Sequence, residues 1–251
     1  MCDPLLPRSH VEPRTLTIPR GPMRFLILGA GKTGKLVAET AAQHGHGVHV
    51  LDARENKDAS ALTAPFVAGF DVIIDFTTPE AVVANLRACL ATGAKMVIGT
   101  TGWYGHLPDA RALAERRGAS LLHGTNFSLG VQLFLKLAAQ MTTELRKSGY
   151  TFTIAETHHT TKLDAPSGTA LTLRDTVITA SGTPDIPINS IRHGEAVGEH
   201  VLTASGPGDR ILLTHQSHSR EAYAEGAVRA AEWLAGQKPG VYDFRDIFEK
   251  L

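Results

Sequence analysis

Residues 156–170 read ETHHTTKLDAPSGTA, and this one stretch concentrates the groups that proton chemistry on an anion needs. His158 and His159 carry imidazoles, the side chains that titrate nearest neutrality and serve as the usual proton shuttle. Lys162 offers an ammonium that can neutralise an anion or donate a proton. Pro166, Ser167, Gly168 and Thr169 read as the opening of a helix that continues through ALTLRDTVITA. The free N–H groups and positive dipole end expected at Ser167, Gly168, Thr169 and Ala170 suit a carboxylate. Each piece has a plain alternative: a His-His pair is ordinarily exposed polarity, and Pro-Ser-Gly-Thr is an ordinary helix cap. Those alternatives together explain less than the joint arrangement of an anion grip beside a proton source.

A second constellation lies near the start. Gly29, Ala30, Gly31, Lys32, Thr33 and Gly34 follow the apolar run MRFLIL and precede KLVAETAAQHG. This is G-x-G-x-x-G between a strand and a helix, where glycines permit a tight turn and let a pyrophosphate approach the helix N-terminus. A glycine-rich turn with no ligand is the alternative, and the strand and helix on either side argue against it. Asp52 ends the next strand, VHVLD, where an acidic side chain can accept hydrogen bonds from an adenine ribose and favour NADH, or can simply form a turn. Arg54 and Lys57 follow and can meet a 2′-phosphate, which keeps NADPH open. The loops Asp75-Phe76-Thr77-Thr78-Pro79 and Gly99-Thr100-Thr101-Gly102 close two further strands, at the carboxyl ends where ligands of parallel sheets sit. Gly, Thr and Pro are also everyday turn residues. The chain has 12 histidines, yet His158 and His159 are adjacent and expected to point apart. No Cys pair or H-E-x-x-H spacing is present, so no metal site is expected.

Short apolar strands alternate with helices from Met23 to residue 127, which predicts a parallel sheet covered on both faces. The pattern then changes. A long helix over residues 129–147 leads to YTFTIAET, whose period-two alternation predicts a half-buried antiparallel strand. SIRHG, EHVLTAS and ILLTHQS read as further strands, and residues 221–235 as a helix that packs back on the first domain. The expected fold is therefore α/β, a Rossmann-type parallel-sheet domain (residues 23–126 with 220–251) plus an α+β domain with a mostly antiparallel sheet (127–219). Residues 1–22 hold five prolines and no apolar periodicity, and are expected to be an extended or disordered, dispensable tail. Lys plus Arg and Asp plus Glu balance at 25 each, so no long-range field draws the chain to nucleic acid or an anionic membrane. Two cysteines without framework spacing and no membrane-length apolar run suit a cytoplasmic protein.

Residues 156–170 resemble the E-x-H-H-x-x-K-x-D-A-P-S-G-T-A hallmark of the 4-hydroxy-tetrahydrodipicolinate reductases of lysine and diaminopimelate biosynthesis. The similarity extends over nearly all of residues 23–251 through GAGKTG, DFTTP, GTTG, TNFSLG, GEH, HQSHSR and AEGAVRAAEWL. The resemblance implies His158 as proton donor or acceptor, Lys162 as a second proton donor, and His159, Gly168 and Thr169 as substrate-binding residues. It implies a nicotinamide cofactor on residues 29–34 and Asp52, with Gly99, Thr100, Thr101, Gly124, Thr125, Asn126 and Phe127 at the nicotinamide end and Arg220 joining from the returning chain. Its reaction is hydride reduction of a cyclic hydroxy-imine dicarboxylate with net loss of water, and its usual assembly is a homotetramer formed through the second domain's sheet. The departures are mild: Gly124-Thr125 in place of more usual small pairs, Ser217 for alanine, Tyr223 for phenylalanine. Residues 54–69 leave little room for an extra helix, which puts cofactor preference in doubt. The rival readings are a non-catalytic NAD(P)-sensing protein, which should show a degraded second loop, and a related two-domain amino-acid dehydrogenase, which should lack HHTTKLDAPSGTA.

Overall fold

A computed structural model describes residues 21–251, so the expected tail falls outside the described residues except for Gly21 and Pro22. The first half runs β1 (Arg24–Leu28), α1 (Lys32–Gln43), β2 (Gly47–Leu51), α2 (Ala64–Val67), β3 (Val72–Asp75), α3 (Pro79–Ala91), β4 (Lys95–Ile98), α4 (Leu107–Arg117) and β5 (Ser120–His123). The second half runs α5 (Leu129–Leu145), β6 (Thr151–His158), α6 (Gly168–Ser181), β7 (Ile188–Arg192), β8 (Gly198–Ser205), β9 (Arg210–Ser217), α7 (Glu221–Ala235), β10 (Gly240–Asp243) and α8 (Phe244–Ile247).

The first sheet is six-stranded in the order β10-β5-β4-β3-β1-β2, and every pairing in it is parallel. All four residues of β3 and of β5 are buried, as continuous apolar strands must be when helices cover both faces. One face packs Val37 and Ala41 of α1 with Ala227, Val228 and Ala231 of α7, and the other packs Val82, Leu86 and Leu90 of α3 with Ala110 and Ala114 of α4. The sequence reading missed β10. A four-residue strand carries too little pattern to announce itself, and only its parallel pairing with β5 defines it. It also missed α2, a single turn that fits between the second and third strands where no helix was expected.

The second sheet has the order β7-β6-β8-β9. β6 pairs antiparallel with β8 as its alternation predicted, but parallel with β7, because α6 carries the chain back to the starting edge before β7 begins. Helices α5 and α6 cover one face, where Phe134, Leu135, Leu173 and Val177 meet Phe152, Ile154 and Leu202. Ser128 and Ser167 cap the two helices, accepting from the backbone N–H groups of Val131 and Ala170 at 3.3 and 3.2 Å. No helix among the described residues is long and apolar enough to cross a membrane.

The chain crosses from the first sheet to the second around Asn126 and Phe127 and returns into α7. There α7 lies so close to the outgoing crossing that a Cβ on Gly226 would stand 1.7 Å from the Phe127 carbonyl oxygen. Gly226→Ala is therefore expected to destabilise the protein by roughly 1–3 kcal/mol, the usual cost of overpacking a filled site. A urea-unfolding midpoint equal to that of the parent would show that the crossing yields freely.

Candidate active site

A cavity of about 530 Å³ opens between the two sheets. Thr33, Gly99, Thr101 and Phe127 form its wall on the first-sheet side; His158, Lys162, Gly168 and Thr169 form the opposite wall, and Arg220 and Tyr223 close it from the start of α7. Thr33, Phe76, Gly99 and Thr101 are shared with a neighbouring cleft of about 330 Å³ that reaches Gly31, Lys32, Thr77 and Thr100. The glycine turn and the His158 loop are thus the two ends of one continuous depression.

On the first-sheet side the glycines do three different jobs. Gly29 has φ +103°, and a Cβ there would meet the Phe76 carbonyl oxygen at 2.4 Å. A Cβ on Gly34 would meet the Gly29 carbonyl oxygen at 1.9 Å, so Gly34 lets α1 pack onto the turn. Gly31 has nothing within 4 Å of its Cβ position, and as N-cap of α1 it provides no side-chain cap. The N–H groups of Lys32, Thr33 and Gly34 have no hydrogen-bond partner among the described residues, and unclaimed donors at the positive end of a helix fit a dinucleotide pyrophosphate. The Gly29 N–H donates to the Leu51 carbonyl at 3.0 Å and brings Asp52 alongside. Asp52 forms a reciprocal box with Glu55: its Oδ1 accepts from the N–H groups of Arg54 (2.7 Å) and Glu55 (3.0 Å), while Glu55 Oε2 accepts from the Asp52 N–H at 3.1 Å. These hydrogen bonds hold the Asp52 carboxyl below its ordinary range. Asp52 is therefore a turn former, the alternative that the spacing had left open, and it stands half-buried beside the glycine turn. Glu55 adds a second carboxylate there, which sequence spacing had not flagged.

The loops after β3 and β4 are joined from beneath by Asp75, which is fully buried. Its Oδ1 accepts from the Thr77 N–H (2.9 Å), the Thr77 hydroxyl (2.7 Å) and the Thr100 hydroxyl (2.8 Å), and its Oδ2 from the Asn85 amide (2.9 Å). Burial pushes the Asp75 carboxyl above its ordinary range against the pull of the Thr77, Asn85 and Thr100 donors. Thr100, one of the expected cofactor-binding residues, thus turns its hydroxyl inward. Gly99 is small because the Phe76 ring lies 2.2 Å from its Cβ position. Gly124 does not line the cavity; its Cβ position is filled from behind by Phe244 at 2.8 Å, so packing alone accounts for it. Thr125, Asn126 and Phe127 do line it.

On the second-sheet side, His158 and His159 both reach the cavity although they were expected to point apart. β6 ends at His158, so the strand alternation no longer governs His159, whose Nδ1 lies 2.8 Å from the Thr161 hydroxyl. Lys162 Nζ donates to both Asp164 carboxylate oxygens at 2.7 and 3.0 Å, a partner that the sequence reading had not assigned. The helix end is also less open than its sequence suggests. The Ser167 N–H already donates to Glu156, and the Ala170 N–H to the Ser167 hydroxyl. Gly168 and Thr169 keep their N–H groups free among the described residues, and Thr169 is anchored by the Asn126 amide at 3.2 Å.

Electrostatics separate the histidines. Burial pushes His158 below its ordinary range, opposed by Glu156. Burial and the neighbouring His158 push His200 down to about 4. Both are neutral imidazoles at pH 7. Tyr104, also missed from sequence, lines the cavity, and burial and Asp243 raise its phenol to about 12, so it serves as a hydroxyl rather than as a base. Burial likewise raises the Cys89 thiol to about 12. Among the described residues the fold brings together two groups that sequence spacing could not reveal as metal ligands: His44, His46 and Glu232, and Glu156, His158 and His200. Neither is open to a metal as arranged. His46 Nδ1 accepts the Met23 N–H at 3.2 Å, so its proton sits on Nε2, the atom that would have to ligate. Glu156 is occupied by the Ser167 N–H and the Arg192 guanidinium.

Comparison with known proteins converges on one family. Residues 23–127 match the model described as "Dihydrodipicolinate reductase, N-terminus", and residues 130–248 the model for its C-terminus. A 4-hydroxy-tetrahydrodipicolinate reductase of Desulfovibrio desulfuricans is 36% identical over 259 residues, covering 89% of this chain and 98% of the relative. One from Thiobacillus denitrificans is 40% identical over 198 residues, covering 71% and 73%. A dipicolinate-bound dihydrodipicolinate reductase structure from Paenisporosarcina sp. TG-14 superposes with a TM-score of 0.73 at 26% identity, covering 90% of this chain and all of that one.

Asp75→Asn would direct an amide N–H at the hydroxyl and N–H donors that now converge there. It is expected to cost roughly 1–3 kcal/mol of stability and to raise the KM for the nicotinamide cofactor more than that for the second substrate. Unchanged stability together with an unchanged cofactor KM would remove Asp75 from its role beneath the loops.

Proposed function

Since the chain belongs to the dihydrodipicolinate reductase family, we propose that the cavity between its sheets is where the family's reaction takes place, with residues 23–126 and 220–251 as cofactor unit and 127–219 as substrate unit. The protein is an oxidoreductase of lysine and diaminopimelate biosynthesis that reduces 4-hydroxy-tetrahydrodipicolinate, with net loss of water, using a nicotinamide cofactor. A bound nicotinamide dinucleotide supplies the hydride. The observation that carries the assignment of roles is that Gly168, Thr169, Lys162 and His158 face Gly99, Thr101 and Phe127 across one cavity.

In this reading the first turn of α1 holds the pyrophosphate, and Gly99, Thr101, Thr125, Asn126 and Phe127 border the nicotinamide. The free N–H groups of Gly168 and Thr169 hold a substrate carboxylate, with His159 beside them. Lys162 exchanges Asp164 for the incoming anion and donates a proton. His158, neutral at pH 7, exchanges the other proton through its cavity-facing nitrogen. A sensing protein has no use for this second half of the site, and its presence with every group in place favours catalysis. For assembly, the uncovered face of the second sheet presents Ile191, Val201 and Leu212 among threonines, which suits pairing with other copies into a homotetramer.

NADH is the favoured cofactor, because Asp52 and Glu55 are two carboxylates beside the glycine turn that would repel a 2′-phosphate, and the Arg54 Nε, 3.5 Å from Asp52 Oδ2, is already paired with one of them. A coupled assay with the synthase product as substrate should give a higher kcat/KM with NADH than with NADPH; the reverse order would mean that Arg54 or Lys57 outweighs the carboxylates. In the same assay Lys162→Ala should lower kcat/KM by about a hundredfold or more, as expected for a group that is both anion partner and acid. Parent-like activity in that variant would sink the assignment of Lys162.

A further inference from the structure

Glu156 is the least exposed charged group of the second sheet, with 1% of its surface accessible, and the roles assigned above do not use it. It lies two residues before His158 on β6, so both side chains project to the helix-covered face. A carboxylate so placed is costly unless every oxygen is partnered. The partners come from three other segments. Both oxygens accept the Ser167 N–H at 3.1 Å, at the N-terminus of α6. Oε1 faces the Arg192 guanidinium of β7 at 3.3 Å, and Arg192 in turn donates to the Asp164 carbonyl at 2.6 Å in the Lys162 loop. Oε2 lies 3.3 Å from His158 Nδ1 and 3.9 Å from His200 Nε2 of β8.

We propose that Glu156 is a positioning residue: its carboxylate holds His158 with the proton on Nδ1, so that Nε2 is the proton-exchanging atom, and the same carboxylate seats the helix end that grips the substrate. The proposal rests on the reading of His158 as a proton-exchanging residue. An ionised carboxylate only accepts, so the nitrogen beside it must carry hydrogen. The 3.3 Å contact is long and off-axis for a hydrogen bond, and Nδ1 has no better partner among the described residues. Catalytic hydrogen bonds are commonly loose before substrate tightens them. Nε2 lies at the Gly198 backbone, where any side chain would crowd it: a Cβ there would stand 3.1 Å away. This gives Gly198, part of the GEH segment, a reason to be glycine.

The charged and titratable groups around His158 leave Glu156 without a substitute. Glu156 comes from its own strand, Arg192 from β7, His200 from β8, Lys162 and Asp164 from the loop, and Arg220 and Tyr223 from α7 across the cavity. Of these, only the two carboxylates favour an imidazolium, and Asp164 is paired with Lys162. Burial, Lys162 and Arg192 all work against it. Removing the negative charge of Glu156 should therefore move the proton affinity of His158 downward.

Two measurements test this. In the unmodified protein, nitrogen-15 NMR of labelled histidines, with His158 identified by the signal lost in His158→Gln, should show the Nδ1–H tautomer at neutral pH; the Nε2–H tautomer overturns the proposal. In Glu156→Gln, kcat should fall by about ten- to a hundredfold, in the range of a general acid–base contribution. The limb of the pH–rate profile that His158→Gln abolishes should move to lower pH by about one unit, as for loss of one close opposite charge. Loss of activity with that limb unmoved marks a merely structural carboxylate and overturns the proposal while leaving His158 in its role. Full activity in His158→Gln overturns the underlying reading, and the proposal with it, whatever the tautomer. If Glu156→Gln does not fold, the tautomer in the unmodified protein decides.

Discussion

The site exists because the chain crosses between its two sheets twice and the two crossings are pressed together. Gly226 of α7 lies against the Phe127 carbonyl, and Phe127 packs on Phe244 with ring centroids 4.5 Å apart. Asn126, next in line, reaches over to Thr169 at the start of α6. A residue at the end of the first sheet's pattern thereby sets the height of the helix end on the second. Arg220 and Tyr223 arrive from the returning crossing into the same space. Move the Phe127 carbonyl, and both walls of the cavity shift.

Each wall is itself organised by a buried carboxylate near a strand end. Asp75 gathers donors from the loops after β3 and β4; Glu156 gathers them from α6 and β7 and sits beside an imidazole. The energetic logic is common to both. A charge taken out of water must collect donors, and donors drawn from separate segments fix those segments relative to one another. The balance differs: at Asp75 burial outweighs the donors and the carboxyl stands above its ordinary range, whereas at Glu156 the hydrogen bonds from Ser167, with Ser190 and His158 behind them, outweigh burial and hold it below.

What was legible in the sequence followed pattern length. Continuous apolar strands, the G-x-G-x-x-G turn and residues 156–170 each carry enough residues to be read without coordinates. β10 and α2 do not, and the parallel pairing of β7 with β6 depends on the route of the chain rather than on either strand. The residues that line the cavity were mostly visible, because chemistry restricts their type. Those that act from behind were not: Asp75 looked like the end of a strand and His200 like part of one. Thr100 joins Asp75 from 25 residues along the chain and Ser167 meets His200 from 33, and only the fold brings them together. Thr100 and Gly124 show the converse, residues of the right type in the right loop whose side chain or Cβ position serves the interior.

The chain presents two helix N-termini to one depression, and their dipoles alone would make them interchangeable anion traps. They differ in how many donors remain. Counted from the N-cap residue, α1 leaves the four N–H groups of Gly31, Lys32, Thr33 and Gly34 unclaimed among the described residues, whereas Ser167 and Glu156 have already claimed two of the four at α6. Four donors suit the several oxygens of a phosphate group; two adjacent ones suit the two oxygens of a planar carboxylate. The two ends of the depression are thus told apart by subtraction, through the number of backbone donors that each helix still has to offer, before Lys162 adds its charge to one of them.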